Sequence, residues 1–105
     1  MSAVERFEAI LAGGDDSASL RFALGIEYAK LAETARAIQH LRAAVTLDPE
    51  FSAAWKLLGK AQIEAGLLED AIVSYQEGVR AATKCGSVQA AREMKVFLRR
   101  LQKTS

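Results

Sequence analysis

The sequence predicts an all-α protein built from antiparallel helix-turn-helix units, and three observations lead to this fold class. Residues 18–48 and 52–82 resemble one another at an offset of 34, a period in the range of stacked helical repeats. Apolar residues recur at helical spacing within each copy. One proline among 105 residues is few for a β-rich or disordered chain. We therefore expect about six helices: one before the repeats, two in each repeat and one after them.

The two copies agree mainly where a residue is apolar or is glycine. The identical pairs are Leu24/Leu58, Gly25/Gly59, Ala37/Ala71, Ile38/Ile72 and Val45/Val79. Most charged positions differ between the copies. This pattern indicates a conserved packing scheme with a variable surface.

Local breaks divide each copy into two helices. In the first copy the spacing predicts helices over 18–31 and 34–47, joined by the turn Ala32-Glu33-Thr34. Pro49 ends the second of these helices, because proline cannot continue a helix interior. In the second copy Gly66 interrupts the helical pattern at the corresponding place.

Gly25 and Gly59 lie at the same phase of the two copies, inside predicted helices. Glycine there costs about 1 kcal/mol relative to alanine. We expect a bulky side chain of the partner helix to contact the backbone at both positions.

Segments outside the repeats supply further helices. The spacing predicts a short amphipathic helix over 2–12, and the segment from Gly13 to Ser17 ends it and offers an N-cap. A last helix over 87–102 is expected to cover the open face of the second repeat with apolar side chains, namely Ala90, Met94, Phe97, Leu98 and Leu101. We expect a single domain over 1–105, with the first repeat at 18–51 and the second at 52–85.

A family resemblance rests on residues at fixed places in both copies. Trp55-x-x-Leu58-Gly59, followed by Gly66, Ala71 and Tyr75, resembles the tetratricopeptide repeat (TPR). The first copy supplies the matching residues Leu24, Gly25, Tyr28, Ala37, Leu41, Ala44 and Pro49. The sequence departs from the pattern at Arg21, Gln62 and Thr83, which replace an aromatic residue, a tyrosine and a proline. The resemblance implies a short right-handed superhelix (an α-solenoid) and a non-catalytic role in protein–protein interaction.

The resemblance also implies a binding groove, lined by the first helix of each repeat. Its residues would be Ser19, Phe22, Ile26, Ala29 and Lys30 in the first repeat, and Ala53, Lys56, Lys60, Ile63 and Glu64 in the second. From these we predict that a protein or peptide partner contacts Phe22, Ile26, Lys30, Lys56, Lys60, Ile63 and Glu64. An apolar floor beside two lysines suits a segment with a hydrophobic anchor and an acidic flank.

Alternatives for the groove stay open at this stage. The N-terminal helix could bury Val4 and Phe7 against Phe22 and Ile26, which would make that half of the groove part of the core. The lysines could be merely solvated. The resemblance does not extend to the carboxylate clamp of chaperone-binding relatives, because the chain has no asparagine.

Charge divides unevenly along the chain. Residues 1–79 carry seven basic and twelve acidic residues, whereas residues 80–105 carry seven basic and one acidic. Arg92, Lys95, Arg99 and Lys103 recur on one face of the last helix, with Arg100 beside them. The alternative function is therefore binding of nucleic acid or an anionic surface through this helix. Nucleic acid is disfavoured, because no aromatic residues that could stack on bases interleave with these charges.

Few residues of this sequence suit catalysis or metal binding. The single histidine and single cysteine lie 45 positions apart, so no zinc-ligand spacing exists. His40 could be a general base or a partly exposed histidine of the outer face, and Cys85 a reactive thiol or an incidental turn cysteine. We predict no enzyme activity, no catalytic residue, no cofactor, no metal and no small-molecule substrate.

Two further expectations concern location. No apolar run approaches the roughly 20 residues of a membrane span, and the N-terminus lacks the basic-then-apolar order of a signal peptide. A lone cysteine suits a reducing compartment, so we predict a cytoplasmic protein.

Overall fold

A computed structural model describes residues 1–104, which form six α-helices. The helices are α1 (Ala3–Ala12), α2 (Ala18–Lys30), α3 (Thr34–Leu47), α4 (Ser52–Glu64), α5 (Leu68–Lys84) and α6 (Val88–Thr104). Helices adjacent in sequence pack against one another along the whole stack. The predicted all-α repeat architecture is confirmed.

Capping residues fix where the first helices begin and end. The Ser17 hydroxyl accepts a hydrogen bond from the Leu20 amide at 3.1 Å, which caps α2 where the sequence offered an N-cap. Ser2 and Glu5 form a capping box at the start of α1. Asp48, which precedes Pro49, has extended backbone angles and ends α3.

The two glycines at the same phase of the repeats, Gly25 and Gly59, mark close contacts between paired helices. A Cβ atom on Gly25 would lie 2.6 Å from Leu41 Cδ2, and one on Gly59 would lie 2.8 Å from Tyr75 Cε2. Leu41 and Tyr75 are themselves 34 residues apart, so both repeats use the same contact. The prediction that a bulky side chain packs on each glycine is confirmed.

The apolar core has two parts. The first spans α2, α3 and α4 around the fully buried Leu24 and Leu41, and α1 packs Val4, Phe7 and Leu11 against it. The second lies between α5 and α6; its buried members are Ala71, Tyr75, Ala82, Ala91, Met94 and Leu101. The last helix therefore covers the second repeat, as expected from its apolar spacing.

The turn that joins the helices of each repeat contains a residue with positive φ. It is Gly66 in the second repeat, with φ 79°, and Ala32 in the first, with φ 58°. The left-handed region costs a residue with a Cβ about 1–2 kcal/mol, whereas glycine adopts it freely. The first repeat therefore carries local strain that the second avoids.

Ala32→Gly is expected to raise the free energy of unfolding by about 0.5–1 kcal/mol, since relief of this strain exceeds the added entropy of the unfolded chain. Urea unfolding followed by circular dichroism measures the change. The matched control is Gly66→Ala, which introduces the same strain with nothing nearby to clash and should destabilise by about 1 kcal/mol. A lower urea midpoint for Ala32→Gly would contradict the argument.

Candidate functional site

A cavity of about 900 Å³ opens between α2, α4 and α6, and we call it the groove. Its walls combine apolar side chains with a few charges. They are Phe22 and Ile26 of α2, Ala53, Lys56, Leu57, Lys60, Ile63 and Glu64 of α4, Tyr75 of α5, and Glu93 and Phe97 of α6. The volume is in the range of pockets that bury a ligand or an anchoring side chain.

The structure brings the predicted partner-binding residues together. Phe22, Ile26, Lys56, Lys60, Ile63 and Glu64 all line the groove. Lys30 lines a smaller cavity of about 300 Å³ that adjoins it and shares Ile26, Leu57, Lys60 and Glu64 with it. The seven residues thus lie along one continuous surface.

The N-terminal helix does not occupy the groove. Helix α1 packs on the first core part, and Phe22 and Ile26 remain on the groove wall. The Phe22 ring is tilted against Phe51, with 4.7 Å between the ring centroids. This contact holds Phe22 in place at the edge of the groove, so the alternative in which α1 covers both side chains does not apply.

Helix α6 forms a wall of the groove that the sequence did not predict. Phe97, expected to cover the second repeat, is 39% exposed and lines the groove. Its ring stacks near Tyr75, at 5.7 Å between centroids. Glu93 lies one turn earlier on the same wall. No pattern within α6 alone could show this, because the position depends on where α6 crosses α4.

The groove lysines differ in whether their charge is already neutralised. Lys56 Nζ lies 2.7 Å from Glu93 Oε2, and this hydrogen bond and charge lower the pKa of Glu93. Lys30 pairs with Glu27 at 3.0 Å. Within residues 1–104, Lys60 forms no ion pair. Lys60 is therefore the groove lysine whose charge is not neutralised by a carboxylate of the described residues.

His40 is buried, with 6% of its surface exposed, so the expectation of a partly exposed outer-face histidine is wrong. Its Nδ1 lies 3.1 Å from Arg21 Nη1 and its Nε2 lies 3.3 Å from Glu8 Oε1. Because a guanidinium only donates, Nδ1 accepts and the ring proton sits on Nε2. Burial lowers the pKa of His40, which favours this neutral ring. His40 therefore links α1, α2 and α3.

Arg21, which stands where the repeat pattern has an aromatic residue, serves the same network. Its Nε and Nη2 donate to the two carboxylate oxygens of Asp16, at 2.9 and 3.0 Å. The hydrogen bond lowers the pKa of Asp16. The aromatic residue of the repeat pattern is thus replaced by Arg21, whose ion pair with Asp16 holds the loop before α2.

The remaining candidate for chemistry is Cys85. Cys85 is exposed at the C-cap of α5, in the turn where the sequence placed it. Within the described part of the chain, no three His, Cys, Asp or Glu side chains cluster so as to hold a metal ion. No helix formed by residues 1–104 is long and apolar enough to cross a bilayer.

Comparison with known sequences decides the family. A sequence model of the tetratricopeptide repeat matches residues 28–94, which is more than half of the chain. The chain belongs to the tetratricopeptide repeat family. A TPR repeat-containing protein of Pseudomonas aeruginosa is 45% identical over 100 residues, which cover 95% of each chain.

Solved structures agree with this small TPR fold. The solution structure of a protein from Bordetella parapertussis matches with a TM-score of 0.81 at 42% identity, over 99% of this chain and 90% of that chain. The TPR2B domain of yeast Sti1, solved in a complex with pHsp70, matches with a TM-score of 0.86 over 98% of this chain and 82% of that chain. At 19% identity, the second likeness concerns the fold alone. TPR repeats are in general protein–protein interaction modules.

Proposed function

We propose that this TPR protein is a non-catalytic interaction module that binds a peptide segment or helix of a partner protein in the groove. The observation that carries the proposal is the groove itself, because its walls present apolar side chains on the first helices of both repeats. Burial of apolar surface there stabilises a complex by about 25 cal/mol per Å² before the entropy cost of association.

The walls define the chemistry of the partner. Phe22, Ile26 and Leu57 offer contacts for an aliphatic or aromatic anchor, as in recognition of a helix by a groove. Lys60 favours an acidic residue beside that anchor. Lys56 contributes less to this selection, because Glu93 already neutralises it.

The groove residues exclude one class of partner, and the proposed cellular location limits the choice further. The groove has Phe22 and Ile26 where a chaperone carboxylate clamp needs lysine and asparagine, so we do not propose a chaperone C-terminus as the partner. A cytoplasmic location is part of the proposal, since the free, exposed Cys85 fits a reducing compartment.

Lys60→Glu is expected to weaken partner binding about tenfold, because it replaces an attraction of up to about 1 kcal/mol with a repulsion of similar size. Lys56→Gln should weaken binding less than Lys60→Gln does. The partner is first captured from a nuclease-treated lysate and its bound segment is mapped by cross-linking. Isothermal titration calorimetry with the synthetic segment then gives the dissociation constants.

Two further variants make the test specific. Ile26→Asp places a charge on the apolar wall and should abolish measurable binding. Arg6→Glu is the matched control, since Arg6 is exposed on α1, away from the groove, and undergoes the same change of charge. Cross-links that fall outside the groove, or dissociation constants unchanged in both Ile26→Asp and Lys60→Glu, would overturn the proposal.

A further inference from the structure

We propose that the outer face of α6 is a second binding surface, which takes an acidic helical segment of another protein. This face comprises Arg92, Lys95, Arg99 and Lys103 together with Val88 and Val96, all of them exposed. It lies on a different side of α6 from Glu93 and Phe97, which line the groove. The inference therefore does not depend on the groove.

The charge of this face is not compensated. Its four cations recur at i, i+3, i+7 and i+11, so they span roughly 16 Å of one helix side at a rise of 1.5 Å per residue. None of them forms an ion pair with a carboxylate of residues 1–104. The sole acidic residue of α6, Glu93, is bound to Lys56. The positive charge of this face would therefore attract a partner with acidic groups at matching positions.

Apolar residues among the cations favour a protein partner. Val88 is 65% exposed and Val96 is 40% exposed. An amphipathic acidic helix can cover both valines while its carboxylates meet the cations. A phosphate backbone offers no apolar group to them, and Phe97, the aromatic ring of α6, lies on the groove side instead of beside the cations.

The residue at the eighth position of α6 favours a partner helix that approaches through charged side chains. Gly25 and Gly59 are the eighth residues of α2 and α4, and each receives a side chain of the following helix. The eighth residue of α6 is the exposed Lys95. A lysine at this position prevents the close apolar packing used inside the repeats. A helix that approaches through charged side chains suits the position better.

A small cavity gives the face an anchor point. It measures about 330 Å³ and is lined by Thr83, Gly86, Val88, Ala91, Arg92 and Lys95. Two cations and a hydroxyl-bearing residue thus surround a space that admits one acidic side chain. A carboxylate in this cavity would accept charge-assisted hydrogen bonds.

The test uses a labelled amphipathic peptide of about 18 residues, with Glu at i, i+3, i+7 and i+11 and Leu beside them. Fluorescence anisotropy is expected to show binding to the wild type that weakens about tenfold in Arg92→Glu/Arg99→Glu. The matched control, Arg6→Glu/Arg42→Glu, has the same net charge, changes exposed residues of α1 and α3 outside both the groove and the α6 face, and should bind like the wild type. Circular dichroism checks that each variant is folded. If Arg92→Glu/Arg99→Glu unfolds, Arg92→Gln/Arg99→Gln replaces it, with a smaller expected loss of affinity.

Three outcomes would overturn the proposal. Equal binding of a scrambled peptide of the same composition would show that the face does not recognise a helix. Tighter binding of duplex DNA, or of vesicles of phosphatidylglycerol and phosphatidylcholine, with loss in Arg92→Glu/Arg99→Glu, would assign the face to a polyanion. Peptide affinity unchanged in that variant would remove the face from binding altogether.

Discussion

Leu41→Ala is expected to lower the free energy of unfolding by about 2–5 kcal/mol, because it empties a fully buried site in a close-packed core. Gly25→Ala should also destabilise, by about 1–3 kcal/mol, since its Cβ would lie 2.6 Å from both Cγ and Cδ2 of Leu41. The better helix propensity of alanine, about 1 kcal/mol, offsets only part of that loss.

The double variant shows whether the two residues act as one contact. In Gly25→Ala/Leu41→Ala the added methyl group enters the space that Leu41 leaves, so the combined loss should be smaller than the sum of the single losses. Urea unfolding of the four proteins measures this coupling. Leu31→Ala is the control for the same truncation at an exposed site and should change stability by less than about 0.5 kcal/mol. Strictly additive losses would contradict the packing argument.

A close contact at Gly25 was predictable, because a glycine recurs at the same phase of the second repeat, at Gly59. The structure identifies the contacting side chains as Leu41 and Tyr75, which are also 34 residues apart. Helix bounds were predictable for a related reason: Ser17, Pro49 and Gly66 act on the backbone within a few residues. Features that repeat, or that act locally, leave a pattern that a single sequence can reveal.

The far wall of the groove could not be predicted in this way. The pair of Lys56 and Glu93 joins residues 37 positions apart and occurs once, so no repeat marks it. Phe97 follows the apolar spacing of α6, and its partial exposure arises only where that helix crosses the groove. The family resemblance therefore located the groove residues on α2 and α4, but it did not show that Glu93 neutralises one of the two lysines.

The second repeat helps to explain why the expectation of a partly exposed His40 was wrong. Tyr28 and His40 stack, with 5.4 Å between ring centroids and 1° between ring planes. The corresponding positions of the second repeat are Gln62 and Ser74, whose side chains form a buried hydrogen bond of 2.6 Å. The departure of Gln62 from the repeat pattern is thus matched by a change in its contact residue. The structure thus shows that the position of His40 is buried in both repeats, which the polar residue types at this position did not indicate.

Gln62→Leu is expected to lower the free energy of unfolding by about 1–3 kcal/mol, because the buried Ser74 hydroxyl loses its hydrogen-bond acceptor. Ser74→Ala should cost a similar amount, since it leaves the Gln62 amide without its donor. In Gln62→Leu/Ser74→Ala both polar groups are gone, so stability should return close to the wild-type value. Urea unfolding of the four proteins measures the coupling free energy. If the double variant lost the sum of the single losses, the two side chains would act separately, and the paired change between the repeats would not reflect a shared contact.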